Sequence, residues 1–498
     1  MVLRNRKTIQ NLFVLAVMLL VFAVWIMVAT GTYSSDTYYM IAEGRNILAN
    51  GLPKYNAFTW YEGHEVVIQN WLCCVGLALC DKFSPNLGPY WFYGPFAIGV
   101  IFCIYLLLRR HIKSTVACAL FALSSVAVSC TGMWLDLRAE NITVLLIIAS
   151  CALFEAYTRN KKKYLLVLQA VLMLIEINFH GAMWLLHFCV LLAYAFPSLV
   201  PKFYADTRAV DLKDAILCGA GMLAAAFINP YGYRMILYPI YAFQSFAAVP
   251  IDEQEAIHMF GPLAWVLLGI FITLAFLVYK RKIGSSQLHI CLGFATLACM
   301  RVHGSIFAAF IYACVIAVCL GGNAAIEKLD DVISSRDLGI LSGLIAGVSC
   351  VIIFLWVMLR PSVILPSLQA TSDYISAAQS ESDTPKNVLS RSILASVIEY
   401  GGVTGVFCDG RSEFMNVNLN RCHDLTAEYK MICGGVMTPE LIEEYGDLDG
   451  YLAANDIYFV LDDPYSPNFL YLIGWIEHSD NWVVALSPGD HILWERID

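Results

Sequence analysis

The sequence predicts an all-α polytopic membrane protein with a small α/β domain at its C-terminal end. Apolar residues make up 59% of the 498 residues and charged residues 14%, whereas soluble proteins carry roughly 25% charged residues. The mean hydropathy is +0.65. Charge is unevenly spread, because residues 361–498 hold 21 acidic and 6 basic residues. This composition argues against a soluble enzyme, and the acidic tail argues against nucleic acid as a partner.

Eleven apolar stretches approach or reach the length of about 20 residues that a membrane-spanning helix needs. The predicted spans are 10–30, 88–108, 115–135, 140–158, 163–179, 182–200, 214–229, 259–279, 286–300, 304–321 and 338–359. The stretches 163–200 and 286–321 are each too long for one span, and each contains a polar break. We therefore divide each of them into two spans that meet at a tight turn.

Lys and Arg residues form clusters before the first span and after the second, fourth, sixth, eighth and tenth spans. Because cytoplasmic loops of membrane proteins are enriched in these residues, the pattern predicts a cytoplasmic N-terminus. The eleventh span then delivers the acidic tail to the outer side of the cell membrane. The predicted domains are a transmembrane part, 1–360, whose first outer loop is 31–87, and an extracytoplasmic part, 361–498.

With this orientation, polar residues that are unusual near membrane spans collect on the outer face. They are Asp36, Arg138, Glu140, Asn178, His180, Asn229, Tyr231, Arg301 and His303. Ionisable groups at membrane depth are costly and tend to face a polar cavity, so their common level predicts a shared outward-facing site. Taken one by one, each has a simpler reading as a solvated anchor at the end of a span or as a turn residue.

These residue types suit transfer of a group from a phosphate-bearing donor. A carboxylate such as Asp36 can act as a general base on a hydroxyl acceptor, and Arg138 and Arg301 can hold phosphate through bidentate hydrogen bonds. Carboxylates with a His could also bind Mg²⁺ or Mn²⁺, with Asp36 as a possible ligand. The sequence contains no Walker A or Rossmann glycine motif, so a lipid-linked donor that carries its own leaving group fits an outward-facing enzyme.

Several motifs resemble one group of bacterial polytopic proteins. The first loop matches at Asp36, Gly44, Arg45, Ile47, Leu48, Gly51, Pro53, Asn56, Phe58, Thr59, Trp71 and Leu72. Further matches are NFHG (178–181), NPYG (229–232), Arg301 and, in the tail, CDGRSEF (408–414). The chain thus resembles the GT-C-type glycosyltransferase superfamily, which includes the protein mannosyltransferases and the catalytic subunits of oligosaccharyltransferase.

The resemblance implies a GT-C-like fold and a polyprenyl-phosphate-linked sugar as donor, with Asp36 as catalytic base or metal ligand. From this resemblance together with the chemistry of their side chains, we assign Arg138 and Arg301 as donor-phosphate contacts, and we expect an envelope glycan, lipid or protein as acceptor. Asp36 has no paired acid beside it, which leaves metal dependence open. Two alternatives stay open: a lipid or glycan transporter, and a non-catalytic scaffold of an envelope-assembly complex that docks through its acidic tail.

The tail alternates apolar segments with helical patterns, as a small α/β domain does. Strands are predicted at 403–408, 457–461 and 482–486, and helices at 387–400 and 438–445. Asp409 and Arg411 are read either as recognition residues or, more simply, as a buried pair that fixes a loop. Cys408, Cys422 and Cys433 could include one disulfide if the domain is extracytoplasmic.

Overall fold

The computed structural model describes residues 2–29, 35–85, 87–129, 137–199, 208–248, 261–300, 302–359, 366–411, 414, 416–435, 437–462, 470–487, 489 and 491–497. Up to residue 248 the helices are α1 (Val2–Val28), α2 (Ser35–Asn50), α3 (Trp71–Phe83), α4 (Gly88–Arg109), α5 (Thr115–Ser129), α6 (Glu140–Asn160), α7 (Tyr164–Phe179), α8 (Leu185–Leu199), α9 (Leu212–Ala226) and α10 (Tyr233–Ala248). They continue with α11 (Pro262–Tyr279), α12 (Ser285–Met300), α13 (Ala308–Leu320), α14 (Ala324–Glu327), α15 (Leu329–Val332) and α16 (Ser335–Leu359).

The tail alternates helices and strands. Its elements are α17 (Pro366–Glu381), β1 (Asn387–Ser390), α18 (Ser392–Tyr400), α19 (Val417–Asn420), α20 (Thr426–Gly434), α21 (Pro439–Tyr445), α22 (Leu448–Ala454), β2 (Ile457–Asp462), α23 (Leu470–Ile476), β3 (Trp482–Leu486) and β4 (Ile492–Arg496). The strands form one sheet in the order β1-β2-β4-β3, in which only β1 and β2 are parallel.

The chain divides into two compact units made of interleaved segments. The helical unit comprises Met1–Gly31, Tyr90–Gly232 and Ile251–Arg360, and the mixed unit comprises Thr32–Pro89, Tyr233–Pro250 and Pro361–Asp498. The segment that follows the first span thus belongs to the same compact unit as the tail. The domain limits 1–360 and 361–498 stay a prediction from sequence pattern.

The helical unit confirms the predicted class of membrane protein. Each of the eleven predicted spans overlaps a helix, although 30, 130–135, 200 and 259–260 lie outside the described residues. The helix α9, at the predicted span 214–229, is not among the apolar helices that could cross or accompany the membrane spans. Among the residues that the structure describes, six helices are long and apolar enough to cross a membrane, and four shorter apolar helices accompany them. Leu12, Leu15, Trp265, Ile272 and Phe354 are among the large apolar side chains left exposed, as a surface that faces lipid requires.

The basic clusters of the helical unit meet at one end of it. Arg6 lies 3.7 Å from Asp331 and Lys113 lies 3.4 Å from Glu327. Between these pairs, the Asp330 carboxylate accepts hydrogen bonds from the Ser114 hydroxyl and from the backbone N–H groups of residues 115 and 116. The loops that the sequence assigns to one side therefore do lie together. Which compartment that side faces stays a prediction.

The mixed unit contains the small α/β domain that the sequence predicts. A hydrophobic core lies against its sheet and includes Phe407, Phe414, Val460 and Tyr451. Rings from the first loop join it, because Trp60 lies 5.6 Å from Phe407, ring centre to ring centre. The aromatic residues of this loop thus serve the packing of the tail.

The tail strands at 457–461 and 482–486 are confirmed, as is the helix at 438–445. The helix predicted over 387–400 is wrong in its first residues, because 387–390 form β1 and pair with β2. The strand predicted at 403–408 reduces to isolated bridges from Val406 to Thr59 and Val388. Both departures depend on partners distant in sequence. Cys408, Cys422 and Cys433 are free thiols.

Candidate functional site

Asp36 lies in the first turn of α2, where a negative charge is stabilised by the helix dipole. The side chain is half-buried. It faces the tail, since a methyl group placed on Gly410 would lie 3.6 Å from Asp36 Oδ1. The motif around Asp36 and the DGR motif of the tail therefore meet in space within the mixed unit.

One face of α2 contacts the loop 409–411. Asp36, Tyr39 and Glu43 are spaced three and four residues apart, which places them on one side of a helix. The guanidinium carbon of Arg411 lies 5.5 Å from the centre of the Tyr39 ring. Burial raises the pKa of the Tyr39 phenol well above its ordinary value, and the charge of Asp36 raises it further. Tyr39 therefore remains a neutral hydrogen-bond donor beside the Asp36 carboxylate.

Arg411 fixes the loop through a buried network. Its Nε donates to Asp409 Oδ2 at 2.7 Å, its Nη1 donates to Glu43 Oε2 at 2.9 Å, and its Nη2 donates to Asn56 Oδ1 at 3.4 Å. The side chains of Arg411, Glu43 and Asp409 are 5%, 1% and 0% exposed. The simpler reading of Asp409 and Arg411, a buried pair that fixes a loop, is the one that these contacts support.

Other residues of the first-loop motif hold the same arrangement. Arg45 Nη2 donates to Asp81 Oδ2 at 2.7 Å, and Arg45 Nη1 donates to the Tyr400 carbonyl oxygen at 2.8 Å. Gly44 is required by close packing, because a methyl group there would lie 1.9 Å from the Cys74 carbonyl oxygen. These contacts of the first-loop motif hold α2, and with it Asp36, against α3 and the tail.

A second polar feature of the mixed unit is a cleft of about 260 Å³ whose lining includes Tyr233, Arg234 and Arg421. Glu65 lies 2.6 Å from Arg234 Nη1 and 3.7 Å from Arg421 Nη1. Two guanidinium groups thus share one nearby carboxylate, which leaves the cleft positively charged. Sequence reasoning missed these residues, because they are far apart along the chain and form no local motif.

The remaining predicted site residues belong to the helical unit, where one of them, His180, is part of a buried polar cluster. Thr143 Oγ1 donates to Glu176 Oε1 at 2.6 Å and lies 2.8 Å from His180 Nδ1. Glu176 Oε2 lies 3.6 Å from His187 Nε2, and both side chains are fully buried. The cluster joins α6, α7 and α8, and it gives the intramembrane carboxyl of Glu176 the polar neighbours that such a group needs.

Asn178 and Asn229 bond to backbone groups. Asn178 Nδ2 donates to the carbonyl oxygens of Leu174 and Ile228, each at 2.9 Å. Asn229 accepts the backbone N–H of Tyr231 at 2.8 Å. Because Ile228 directly precedes the NPYG motif, these contacts join it to the NFHG motif. Both asparagines therefore stabilise turns, the simpler of the two readings.

Arg138 and Glu140 lie at the start of α6, and both side chains are half-buried. Arg301 and the side chain of His303 lie outside the described residues. The structure thus brings Asn178, His180, Asn229 and Tyr231 into one helical unit with Arg138 and Glu140, while Asp36 belongs to the mixed unit.

The described carboxylates nearest to Asp36 bear on whether a metal ion binds there. Within the described ranges, no three His, Cys, Asp or Glu side chains gather as a metal site. The nearest carboxylates, Glu43 and Asp409, have oxygens bonded to Arg411. The carboxylates of Glu43 and Asp409 therefore serve to hold Arg411, and the metal dependence suggested by the sequence stays open.

The whole fold is similar to that of a solved structure, ArnT from Cupriavidus metallidurans in the apo state. The TM-score is 0.52 at 11% sequence identity, over 95% of this chain and 96% of that chain. ArnT is a GT-C-type glycosyltransferase. This chain has the GT-C fold. No family model matches the sequence, and no curated protein matches it.

Asp36 lies in the mixed unit of this fold. In this chain the GT-C fold combines a polytopic helical unit with a mixed unit that takes in the segment after the first span and the tail. The resemblance drawn from short motifs is thereby confirmed at the level of fold.

Proposed function

We propose that the chain is an integral membrane glycosyltransferase that transfers a sugar from a polyprenyl-phosphate-linked donor to a cell-envelope acceptor on the outer face of the cytoplasmic membrane. Support comes from the fold shared with ArnT, which is a 4-amino-4-deoxy-L-arabinose lipid A glycosyltransferase. The observation that carries the proposal is the placement of Asp36 at the start of α2, beside a loop that Arg411 fixes.

The reaction assigns one role to each group. An Asp36 carboxylate oxygen takes the proton from the acceptor hydroxyl, and the acceptor oxygen forms a bond to the anomeric carbon of the sugar. The bond between that carbon and the phosphate oxygen breaks, and polyprenyl phosphate leaves with the bonding electrons. Arg138 and Arg301 stabilise the charge that develops on the leaving phosphate.

Two further assignments belong to the proposal. Glu140, Asn178, His180, Asn229, Tyr231 and His303 are supporting polar residues, of which the two asparagines act by holding turns. The cleft beside Arg234 and Arg421 is a candidate site for an anionic part of the acceptor. Its positive balance favours such a group.

The test is Asp36→Asn in proteoliposomes supplied with a polyprenyl-phosphate sugar. Loss of a general base lowers rates by about 10²- to 10⁴-fold, and we expect a loss in that range. Asp373→Asn is the matched control, because Asp373 is an exposed acid on α17 of the same unit. Unchanged transfer by the Asp36 variant would remove Asp36 from the catalytic role, and absence of transfer by the parent protein would overturn the proposal and favour the scaffold alternative.

Deletion of the tail cannot distinguish the enzyme from the scaffold. The tail supplies Arg411 and the Tyr400 carbonyl, which bond to Glu43 and Arg45 of α2. A deletion would therefore unpair buried groups around Asp36 as well as remove a docking surface. Point variants are the proper comparison.

A further inference from the structure

A cavity of about 400 Å³ lies in the helical unit. Its walls come from the ends of membrane helices and the turns that follow them. Arg110 follows α4, Arg159 belongs to the last turn of α6, Arg208 precedes α9, and Lys282 lies between α11 and α12. Four basic loops of the sequence thus converge on one cavity.

The charge of the described walls is strongly unbalanced. Among the described lining residues, Glu155 is the one carboxylate beside four cations. Arg110 Nη1 lies 3.0 Å from Glu155 Oε2, and Arg159 contacts the same carboxylate. The lining residues that the structure describes thus include more cations than acids, which favours an anion in the cavity. Burial lowers the pKa of His111, another lining residue, so this imidazole adds no charge at neutral pH.

Basic residues elsewhere at this end of the unit show a different pattern. Lys113 pairs with Glu327 at 3.4 Å, and Lys161 pairs with Asp211 at 3.4 Å. Each of these two lysines has an acid of its own, whereas Arg110 and Arg159 of the cavity share the single carboxylate of Glu155.

A buried hydroxyl adds a second, independent observation. Ser286 lines the cavity and is 8% exposed. Its Oγ makes no hydrogen bond to any residue that the structure describes. A buried polar atom without a partner is costly, and an anion in the cavity would provide an acceptor for this donor.

We propose that this cavity binds the phosphate head group of an anionic membrane phospholipid. Phosphate offers the oxygens that guanidinium, ammonium and hydroxyl groups bind, and basic pockets between membrane helices suit such head groups. A lipid is favoured over a soluble phosphate because Arg110 and Arg159 lie at the ends of helices that are long and apolar enough to cross a membrane. Lipid head groups lie at the level of such helix ends. The inference is independent of the proposed transferase activity.

The test is native mass spectrometry of the full chain in detergent, titrated separately with dioleoyl phosphatidylglycerol and with dioleoyl phosphatidylcholine. We expect clear preference for the anionic lipid. Lys282→Gln should weaken phosphatidylglycerol binding about fivefold, as expected for one cation near a membrane surface, and Ser286→Ala should weaken it as well.

The matched control is Lys280→Gln, which removes the same charge two residues away. Lys280 contacts the rings of Phe276 and Tyr279 and does not line the cavity. Thermal unfolding without added lipid, unchanged between the two variants, shows that both fold. Equal binding of the two lipids, or equal losses in the Lys282 and Lys280 variants, would overturn the proposal. Full displacement of the lipid by millimolar inorganic phosphate would assign the cavity to a soluble anion instead.

Discussion

Arg411 Nη1 donates a hydrogen bond to Glu43 Oε2 at 2.9 Å, although the two residues are 368 positions apart. Both side chains are almost completely buried. The bond ties the loop 409–411 to the face of α2 that carries Asp36. The candidate catalytic residue therefore depends for its position on a residue of the tail.

Arg411→Ala should destabilise the protein strongly. Removing one member of a buried ion pair costs about 3–5 kcal/mol, because the remaining charges are left uncompensated. Thermal unfolding followed by tryptophan fluorescence would measure the loss. Lys430→Ala, at an exposed position of the same tail, should stay within about 0.5 kcal/mol of the parent. Equal stability of the two variants would show that the network contributes little.

The buried carboxyl of Glu399 should make the stability of the protein depend on pH. Burial raises the pKa of its carboxyl well above the ordinary value and Asp409 raises it further, while Arg411 opposes the shift. Between the unfolded pKa, about 4.3, and the raised folded pKa, the folded state holds a proton that the unfolded state has lost. The contribution of Glu399 to the free energy of unfolding therefore falls as pH rises through that window.

Glu399→Gln removes this pH-dependent contribution to stability, because the amide is neutral at every pH. The variant should gain stability over the parent at neutral pH, and the gain should shrink as the pH falls towards 4. Unfolding midpoints measured across this range would check it, with Glu443→Gln at an exposed position as control. A gain that does not change with pH would contradict the assignment.

Gly44→Ala should disturb the packing of α2 on α3. The added methyl group would meet the Cys74 carbonyl oxygen at 1.9 Å, so backbone must move. Overpacking costs about 1–3 kcal/mol, and more where backbone resists. Gly474→Ala is the matched control, because nothing lies within 4 Å of the added methyl in α23. There the change should stabilise by about 0.5–1 kcal/mol. Similar melting temperatures for both variants would count against the close approach.

Arg138→Gln should raise the KM for the lipid-linked donor. Hydrogen bonds to charged groups contribute about 1.5–3 kcal/mol, which corresponds to about a tenfold to hundredfold change. Steady-state kinetics in proteoliposomes would separate KM from kcat. Arg336→Gln, an exposed arginine at the start of α16, should leave both constants unchanged. A normal donor KM in the Arg138 variant would remove that residue from the proposed site.

The spans could be predicted from sequence because a membrane helix satisfies its own backbone and shows itself as a local apolar run. The first residues of β1 could not be assigned in this way. Asn387–Ser390 reads as part of a helix, and only its pairing with β2, about 70 residues later, makes it a strand. The same reason explains why α10 was not predicted, since this helix packs on α19 of the tail.

The candidate site likewise contains residues that local sequence indicates and contacts that it does not. Asp36 and the DGR motif were each recognised, but nothing local in either motif indicates that Gly410 lies beside Asp36. Thr143 and His187 were missed for a related reason: each is ordinary in its own helix. Their importance appears only when α6, α7 and α8 bring them to Glu176.

The interleaved make-up of the mixed unit has a consequence during synthesis. A ribosome that adds about 5–20 residues per second needs roughly 20 to 70 s to proceed from Glu43 to Arg411. During that time Glu43 of α2 has been synthesised, whereas Arg411, the cation that pairs with it, has not. We expect misassembly of the first loop to concentrate in this interval, because Glu43 then lacks the cation that pairs with it in the folded protein.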